Sequence, residues 1–220
     1  MDEERVRTIL TRCGAFPKSG HYVLGSGQHS DSYVDTDGTF ACPRFVSDFC
    51  YEIGRRLFCR EPSVPVEAIA GPAVRGGILA QEIATQHTVI TGDNVYAVFA
   101  NETSGDGKAE FAFSPTYRNV MKGKRVLVVN DVSATGASLR QMAALVRASG
   151  GIVTHTAALV NRGGVTAQDA GVEELITLLT LETESWPAEE CPLCRREVPV
   201  NIVFGHGREF LLARRNASRA

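Results

Sequence analysis

Apolar positions in the central part of the chain follow two alternating periods. Short apolar runs predict five strands, at residues 66–70, 95–100, 125–130, 152–160 and 175–181. Residues 77–86 and 137–149 carry apolar side chains at helical spacing and predict helices between strands. The run at 125–130 has four apolar residues in succession, which is typical of a parallel strand covered on both faces. This alternation predicts an α/β fold with a mostly parallel sheet flanked by helices.

The first sixty residues follow a different pattern. Residues 2–13 predict a short helix that ends at Gly14, and residues 43–59 predict a longer helix with Pro43 in its first turn. Residues 20–35 contain three glycines and short apolar stretches, which indicate a hairpin or loop that forms a small hood. A length of 220 residues favours one domain. We expect a hood at about 14–42, a core at about 43–182 and a C-terminal tail at 183–220.

The charge balance and hydropathy of the chain argue against several classes of protein. The 23 basic and 25 acidic residues give a formal net charge of −2, without the basic surplus of a dedicated DNA-binding protein. No apolar run approaches the roughly 18 residues of a membrane span. The N-terminal segment is acidic where a signal peptide would be basic and then apolar. We therefore expect a cytoplasmic protein without membrane or nucleic-acid partners, whose six cysteines are thiols.

The segment at residues 126–138 carries the strongest chemical signal. An apolar strand ends in Asn130 and Asp131 and continues through small and hydroxylic residues into a helix. Ligands of open α/β sheets bind at the carboxyl ends of the strands, and a helix N-terminus there favours an anion. The turn therefore predicts a phosphate-binding site, although it lacks the Gly-Lys-Ser/Thr of a Walker loop. Asp131 is placed to accept hydrogen bonds from sugar hydroxyls.

Residues 126–138 resemble the 5-phosphoribosyl-1-pyrophosphate (PRPP) motif of the type I phosphoribosyltransferases. Three further segments resemble the orotate branch of that family. Residues 20–33 are similar to its hood, residues 71–77 to its pyrophosphate-binding loop, and residues 159–162 to the strand whose arginine meets the orotate carboxylate. The resemblance implies the type I phosphoribosyltransferase fold with its small N-terminal hood.

The resemblance also implies a reaction and its residues. A nucleobase, orotate above all, joins PRPP with release of pyrophosphate, and Mg²⁺ is bound through PRPP. The implied PRPP-binding residues are Arg75, Gly76, Asn130, Asp131, Ser133, Ala134, Thr135, Gly136, Ala137 and Ser138. Asp131 and Lys108 are the implied catalytic residues, and Ser26 and Arg162 are the implied base-binding residues. A homodimer is implied as well, because in this family a mobile loop reaches the neighbouring subunit's site.

One residue and one segment depart from the family pattern. Asn130 stands where an acid is usual, and the loss of one charged hydrogen bond is expected to cost about 1 kcal/mol. Residues 101–108, predicted to be a mobile loop, keep only Lys108 of a usual Lys- and Arg-rich run. Two different functions therefore stay open: a phosphoribosyltransferase for another base such as a purine, which would not need Arg162, and a catalytically weak PRPP-binding regulator.

The tail contains one possible half of a metal site. Cys191 and Cys194 have the spacing of paired zinc ligands, and His206 is the nearest other candidate in sequence. A single Cys-x-x-Cys pair is too little to define a site. We therefore assign no metal ligand from the sequence.

Overall fold

The computed structural model describes residues 1–15, 18–59, 65–105 and 108–217, without the side chains of 18, 104, 105, 108, 109 and 217. The helices are α1 (Glu3–Arg12), α2 (Asp37–Phe40), α3 (Pro43–Phe58), α4 (Arg75–Thr91), α5 (Pro115–Met121), α6 (Ala137–Ala148), α7 (Pro192–Arg195) and α8 (Gly207–Ala217). The strands are β1 (Lys18–Val23), β2 (His29–Tyr33), β3 (Ala68–Pro72), β4 (Tyr96–Gly105), β5 (Lys108–Ala112), β6 (Arg125–Ser133), β7 (Ile152–Arg162), β8 (Leu175–Leu181) and β9 (Ser185–Trp186).

A six-stranded sheet forms the centre of the fold, in the order β5-β4-β3-β6-β7-β8. Every neighbouring pair is parallel except β4 and β5, which are antiparallel at one edge. The predicted α/β class with a mostly parallel sheet is confirmed. Parallel strands end at one edge of a sheet, so β3, β6 and β7 deliver the residues that follow them to a common place.

Helices cover both faces of this sheet, and β6 shows why. Leu127 and Val129 belong to the apolar cluster under α1, α3 and α4, whereas Val126 and Val128 belong to the cluster under α5 and α6. All four side chains are completely buried. Successive side chains of a strand point to opposite faces, so an unbroken apolar run requires cover on both sides.

The hood is a separate three-stranded antiparallel sheet in the order β1-β2-β9. The hairpin predicted within residues 20–35 is present as β1 and β2, joined by a turn at 24–28. Its third strand, β9, comes from the C-terminal tail, with His29 opposite Trp186. A segment from the first part of the chain and one from the C-terminal tail therefore meet in the hood.

Several sequence-based boundaries are wrong. The sequence predicts a loop at 101–108, but β4 continues to Gly105 and pairs with β5, which begins at Lys108; residues 106 and 107 lie outside the described part of the chain. Polar side chains fit a strand there because Asn101, Glu102 and Thr103 are exposed to solvent, whereas Phe111 of β5 packs against the apolar cluster of the sheet. The helix expected at 77–86 extends over Arg75–Thr91, because Gly92 at φ 82° first provides a left-handed C-cap.

Within the described ranges, none of the helices combines the length and apolar character needed to cross a membrane.

Candidate functional site

A cavity of about 980 Å³ opens at the carboxyl edge of the central sheet. It is lined by residues that follow β3, by the end of β6, by the last residue of β7 and by the hood turn at 24–28. All the predicted site residues whose side chains the structure describes line it: Ser26, Arg75, Gly76, Asn130, Asp131, Ser133, Ala134, Thr135, Gly136, Ala137, Ser138 and Arg162. The fold thus gathers segments that are distant in sequence around one space.

The turn at 133–138 forms one wall of the cavity and leads into α6. Gly136 is the N-cap of that helix and has φ 72°, a conformation that side chains disfavour. A Cβ at Gly136 would lie 3.0 Å from the carbonyl oxygen of Asp169 and 3.0 Å from Cγ1 of Val165. Only glycine therefore lets the turn close against the 165–169 segment. The N-terminus of α6 then faces a cavity that can hold an anion.

Asp131 and Arg75 form the charged centre of the site. Arg75 Nε donates to Asp131 Oδ2 at 2.6 Å, and Thr36 Oγ1 donates to the same oxygen at 2.7 Å. Arg75 Nη1 also pairs with Asp37, whose side chain is 73% exposed. Burial lowers the pKa of Arg75, but Asp131 and Asp37 outweigh it and raise that pKa. Arg75 is therefore a fully charged cation inside the cavity.

The loop that carries Arg75 depends on two glycines packed against each other. A Cβ at Gly71 would lie 2.3 Å from the carbonyl oxygen of Gly76, and a Cβ at Gly76 would lie 2.4 Å from Cδ of Pro72. Neither distance is tolerable for a side chain. The two glycines therefore let the chain turn sharply from β3 into α4 and place Arg75 at the cavity.

Asn130 is held by its own strand end. Its Nδ2 donates to the carbonyl oxygen of Val132 at 3.1 Å, and the residue is 7% exposed. A carboxylate at this position could not make that hydrogen bond. The amide of Asn130 is therefore suited to its local backbone, although the family pattern has an acid at this position.

Arg162 lies at the end of β7 beneath the hood. Its Nη2 donates to the carbonyl oxygen of Ser32 at 2.6 Å and to the hydroxyl of Ser30. Burial lowers the pKa of Arg162, with Asp31 and Tyr33 acting in the opposite direction. An arginine nevertheless stays protonated in proteins. Among the described residues it forms no ion pair, and its Nε has no hydrogen-bond partner. The cavity therefore contains a buried cation that makes no ion pair with any carboxylate the structure describes.

Several other residues that line the cavity were not predicted from the sequence. These are, among others, Tyr33, Glu102, Thr103, Phe111 and His206. Burial raises the pKa of Tyr33, and nearby acids add to this although Arg75 opposes them, so the phenol stays a hydrogen-bond donor. Glu102 and Phe111 face each other in the β4–β5 register. His206 comes from the tail, and no local motif signals its position.

Lys108 is the first residue of β5, opposite Gly105. Its side chain lies outside the described part of the structure, so its predicted catalytic role stays a prediction. The dipeptide between the two strands is Asp-Gly, a strong signal for a two-residue hairpin turn. That signal would have predicted the β4–β5 hairpin.

Comparisons with known proteins agree with this arrangement. The sequence profile of the family described as phosphoribosyl transferase domain matches residues 61–191. The chain belongs to the phosphoribosyltransferase family. The family resemblance of the sequence is thereby confirmed, and the protein is a pentosyl-transferring enzyme.

Curated relatives of this phosphoribosyltransferase cover nearly its whole length. The orotate phosphoribosyltransferase of Caldanaerobacter subterraneus subsp. tengcongensis is 32% identical over 200 residues, covering 91% of this chain and 96% of the relative. That of Pelotomaculum thermopropionicum is 33% identical over 199 residues, covering 90% and 95%. Among solved structures, orotate phosphoribosyltransferase from Aeropyrum pernix has a TM-score of 0.59 at 27% identity, covering 80% of this chain and 93% of that one.

Proposed function

We propose that this phosphoribosyltransferase joins orotate to PRPP and releases pyrophosphate. The observation that carries the proposal is Arg162, a buried cation without an ion-pair partner among the described residues, in the same cavity as the phosphate-binding turn. Orotate differs from uracil by one carboxylate, and a buried arginine is suited to bind a carboxylate. The names of the curated relatives support the same substrate.

In this proposal the three parts of PRPP would occupy separate parts of the cavity. The turn at 133–138 and the N-terminus of α6 would hold the 5′-phosphate. Asp131 would accept hydrogen bonds from the ribose hydroxyls, because both of its described bonds use Oδ2. Arg75 would bind the pyrophosphate, which can displace the solvent-exposed Asp37 because exposed ion pairs are weak.

The reaction is a displacement at C1′ of the ribose. The bond from C1′ to the pyrophosphate oxygen breaks, and its electron pair leaves with pyrophosphate. The orotate N1 forms the new bond to C1′ and gives up its proton to solvent. The side chains of this chain supply position and charge: Arg75 meets the charge that grows on pyrophosphate, and Arg162 with Ser26 orients the base.

The donor set also fits Mg²⁺ delivered with PRPP. Mg²⁺ prefers oxygen ligands, and Asp131 offers a carboxylate at the cavity. When bound, the ion would neutralise part of the charge on pyrophosphate.

We further propose that the enzyme is a cytoplasmic homodimer. The β4–β5 hairpin extends from the sheet edge and carries Lys108 at its end. In the proposed dimer this hairpin reaches the partner's cavity and brings Lys108 to the pyrophosphate. No other cation lies between Asn101 and Lys108 in the sequence.

Replacing Arg162 with alanine tests the substrate assignment. We expect the preference of the wild-type enzyme for orotate over uracil, measured as the ratio of kcat/KM values, to fall by about 10–100-fold, because a charge-assisted hydrogen bond is worth about 1.5–3 kcal/mol. The KM for PRPP should change little. Arg44→Ala is the matched control, since Arg44 is an 83% exposed arginine on α3.

An unchanged orotate preference in the Arg162→Ala enzyme would contradict the role of this residue. Calorimetric titration of the wild-type protein with PRPP, together with turnover assays, separates an orotate enzyme from a regulator and from a purine enzyme. PRPP binding without turnover of any base would favour the regulator, and turnover of a purine alone would favour the purine enzyme.

A further inference from the structure

Two histidines of the hood and two cysteines of the tail form a compact cluster of metal-ligating atoms. Its members are His21 of β1, His29 of β2, Cys191 before α7 and Cys194 within α7. One ligand atom from each residue lies within 4.8 Å of all the others. Three of the four residues are fully buried, and Cys194 is half-buried. None of them lines the cavity of the proposed reaction.

The distances within this cluster match those of a tetrahedral zinc site. Zn–S bonds of about 2.3 Å and Zn–N bonds of about 2.05 Å place the sulfur and nitrogen ligands about 3.5 Å apart. His21 Nε2 lies 3.6 Å from Cys191 Sγ and 3.7 Å from Cys194 Sγ, and Cys194 Sγ lies 3.3 Å from His29 Nδ1. The two nitrogens are 2.8 Å apart and would separate by about half an ångström around an ion.

A backbone carbonyl fixes the protonation of His21. Its Nδ1 lies 2.7 Å from the carbonyl oxygen of Val198. A carbonyl accepts and cannot donate, so Nδ1 carries the proton and the Nε2 lone pair points into the cluster. Zinc-bound histidines typically donate their second ring N–H to such an acceptor. This contact therefore prepares His21 as a ligand before any ion binds.

We propose that His21 Nε2, His29 Nδ1, Cys191 Sγ and Cys194 Sγ bind one structural Zn²⁺. Two thiolates and two neutral imidazoles compensate the charge of the ion, and four protein ligands leave no open position for catalysis. A hydrogen bond between the two histidines would explain their 2.8 Å separation, but it would not explain why two cysteine sulfurs converge on the same nitrogens. His206, the nearest other candidate in sequence, is not part of this cluster and lines the cavity instead.

The proposed ion would join the two ends of the chain beside the base-binding part of the cavity. His21 and His29 flank the turn at 24–28, which contains Ser26. His29 is next to Ser30, whose hydroxyl accepts from Arg162. Zinc would therefore hold the hood turn and the Arg162 contacts in place through the tail.

The metal content of the purified protein tests the proposal directly. We expect about one zinc per chain by mass spectrometry of the metal after removal of any histidine tag and dialysis. Cys191→Ser and Cys194→Ser should each lose most of it, whereas Cys59→Ser, a substitution of an exposed cysteine, should keep it. Wild-type protein that holds no zinc and takes up none on reconstitution would overturn the proposal.

Cobalt substitution of the wild-type chain keeps the test valid if the serine variants do not fold. Tetrahedral Co²⁺ with thiolate ligands gives intense visible bands and a sulfur charge-transfer band, and we expect both. A weak spectrum typical of six oxygen or nitrogen ligands would overturn the assignment. Chelation should also speed hydrogen exchange in β1 and β2 but not in β6. None of these measurements uses the orotate reaction, so they stand apart from the proposed function.

Discussion

At the scale of single residues, the site depends on a few positions with strict stereochemical requirements. Gly136 has both a positive φ and close neighbours in Asp169 and Val165, so the turn at 133–138 cannot accept a side chain there. Arg162 and Asn130 instead require specific polar partners, because each side chain donates a hydrogen bond to one backbone carbonyl oxygen. Each of these constraints helps to set the shape of the cavity.

Replacing Gly136 with alanine should weaken PRPP binding by more than about tenfold, because the turn must open to relieve both contacts. Isothermal titration calorimetry measures this affinity. Gly92→Ala is the matched control, since Gly92 also has a positive φ, of 82°, but a Cβ there has open space. Both variants should lose about 1–2 kcal/mol of stability from the left-handed backbone. Equal PRPP affinity in the two variants would contradict the assignment of the turn.

At the scale of secondary structure elements, Glu52 and its partner Arg56 link α3 to the N-terminal ammonium and to β8. The carboxylate accepts from the N-terminal ammonium, from Arg55 and from Arg56, and Arg56 also donates to the carbonyl oxygen of Thr177 on β8. Burial alone would raise the pKa of Glu52, but these hydrogen bonds outweigh it and lower the pKa from 4.5 to about 2.

This lowered pKa predicts a pH-dependent stability. A folded-state pKa below the unfolded one stabilises the protein above about pH 4.5, and that contribution is lost as the pH falls toward 2. Glu52→Gln should therefore lower the free energy of unfolding by about 3 kcal/mol at pH 7, and by progressively less below pH 4.5. Urea unfolding across this range measures the difference. Glu67→Gln is a suitable control, because the ion pair of Glu67 with Arg125 lies at the surface. A pH-independent difference would contradict this role of Glu52.

The elements that the sequence predicted well are those with a strong local signal. The helix start at Pro43 and the strand at 175–181 agree with the structure because periodicity, proline and apolar runs all act locally. The pairing of β4 with β5 is hard to predict because residues 101–105 are polar, although the Asp-Gly dipeptide after them signals a hairpin. The contributions of His206 and of β9 could not be predicted, because only tertiary contacts bring the tail to the hood.

At the scale of the whole molecule, the proposed dimer makes each cavity depend on two chains. Lys108→Ala should lower kcat by about 100-fold with little change in PRPP affinity, because its charge matters mainly as the leaving group develops. If Lys108 acts in the partner's cavity, mixing this variant with Asp131→Asn should restore about a quarter of the wild-type activity after subunit exchange, since half the dimers then contain one intact cavity. Failure of the mixture to exceed its components would show that Lys108 does not act across the dimer.

The measurement that tests the central claim most directly is the initial rate of the wild-type enzyme with PRPP, Mg²⁺ and a panel of bases. We predict that orotate is consumed with stoichiometric release of pyrophosphate, and that uracil, adenine and hypoxanthine react at least about 100-fold more slowly, because they lack the carboxylate that Arg162 would bind. A comparable or higher rate with a base that has no carboxylate would contradict the claim.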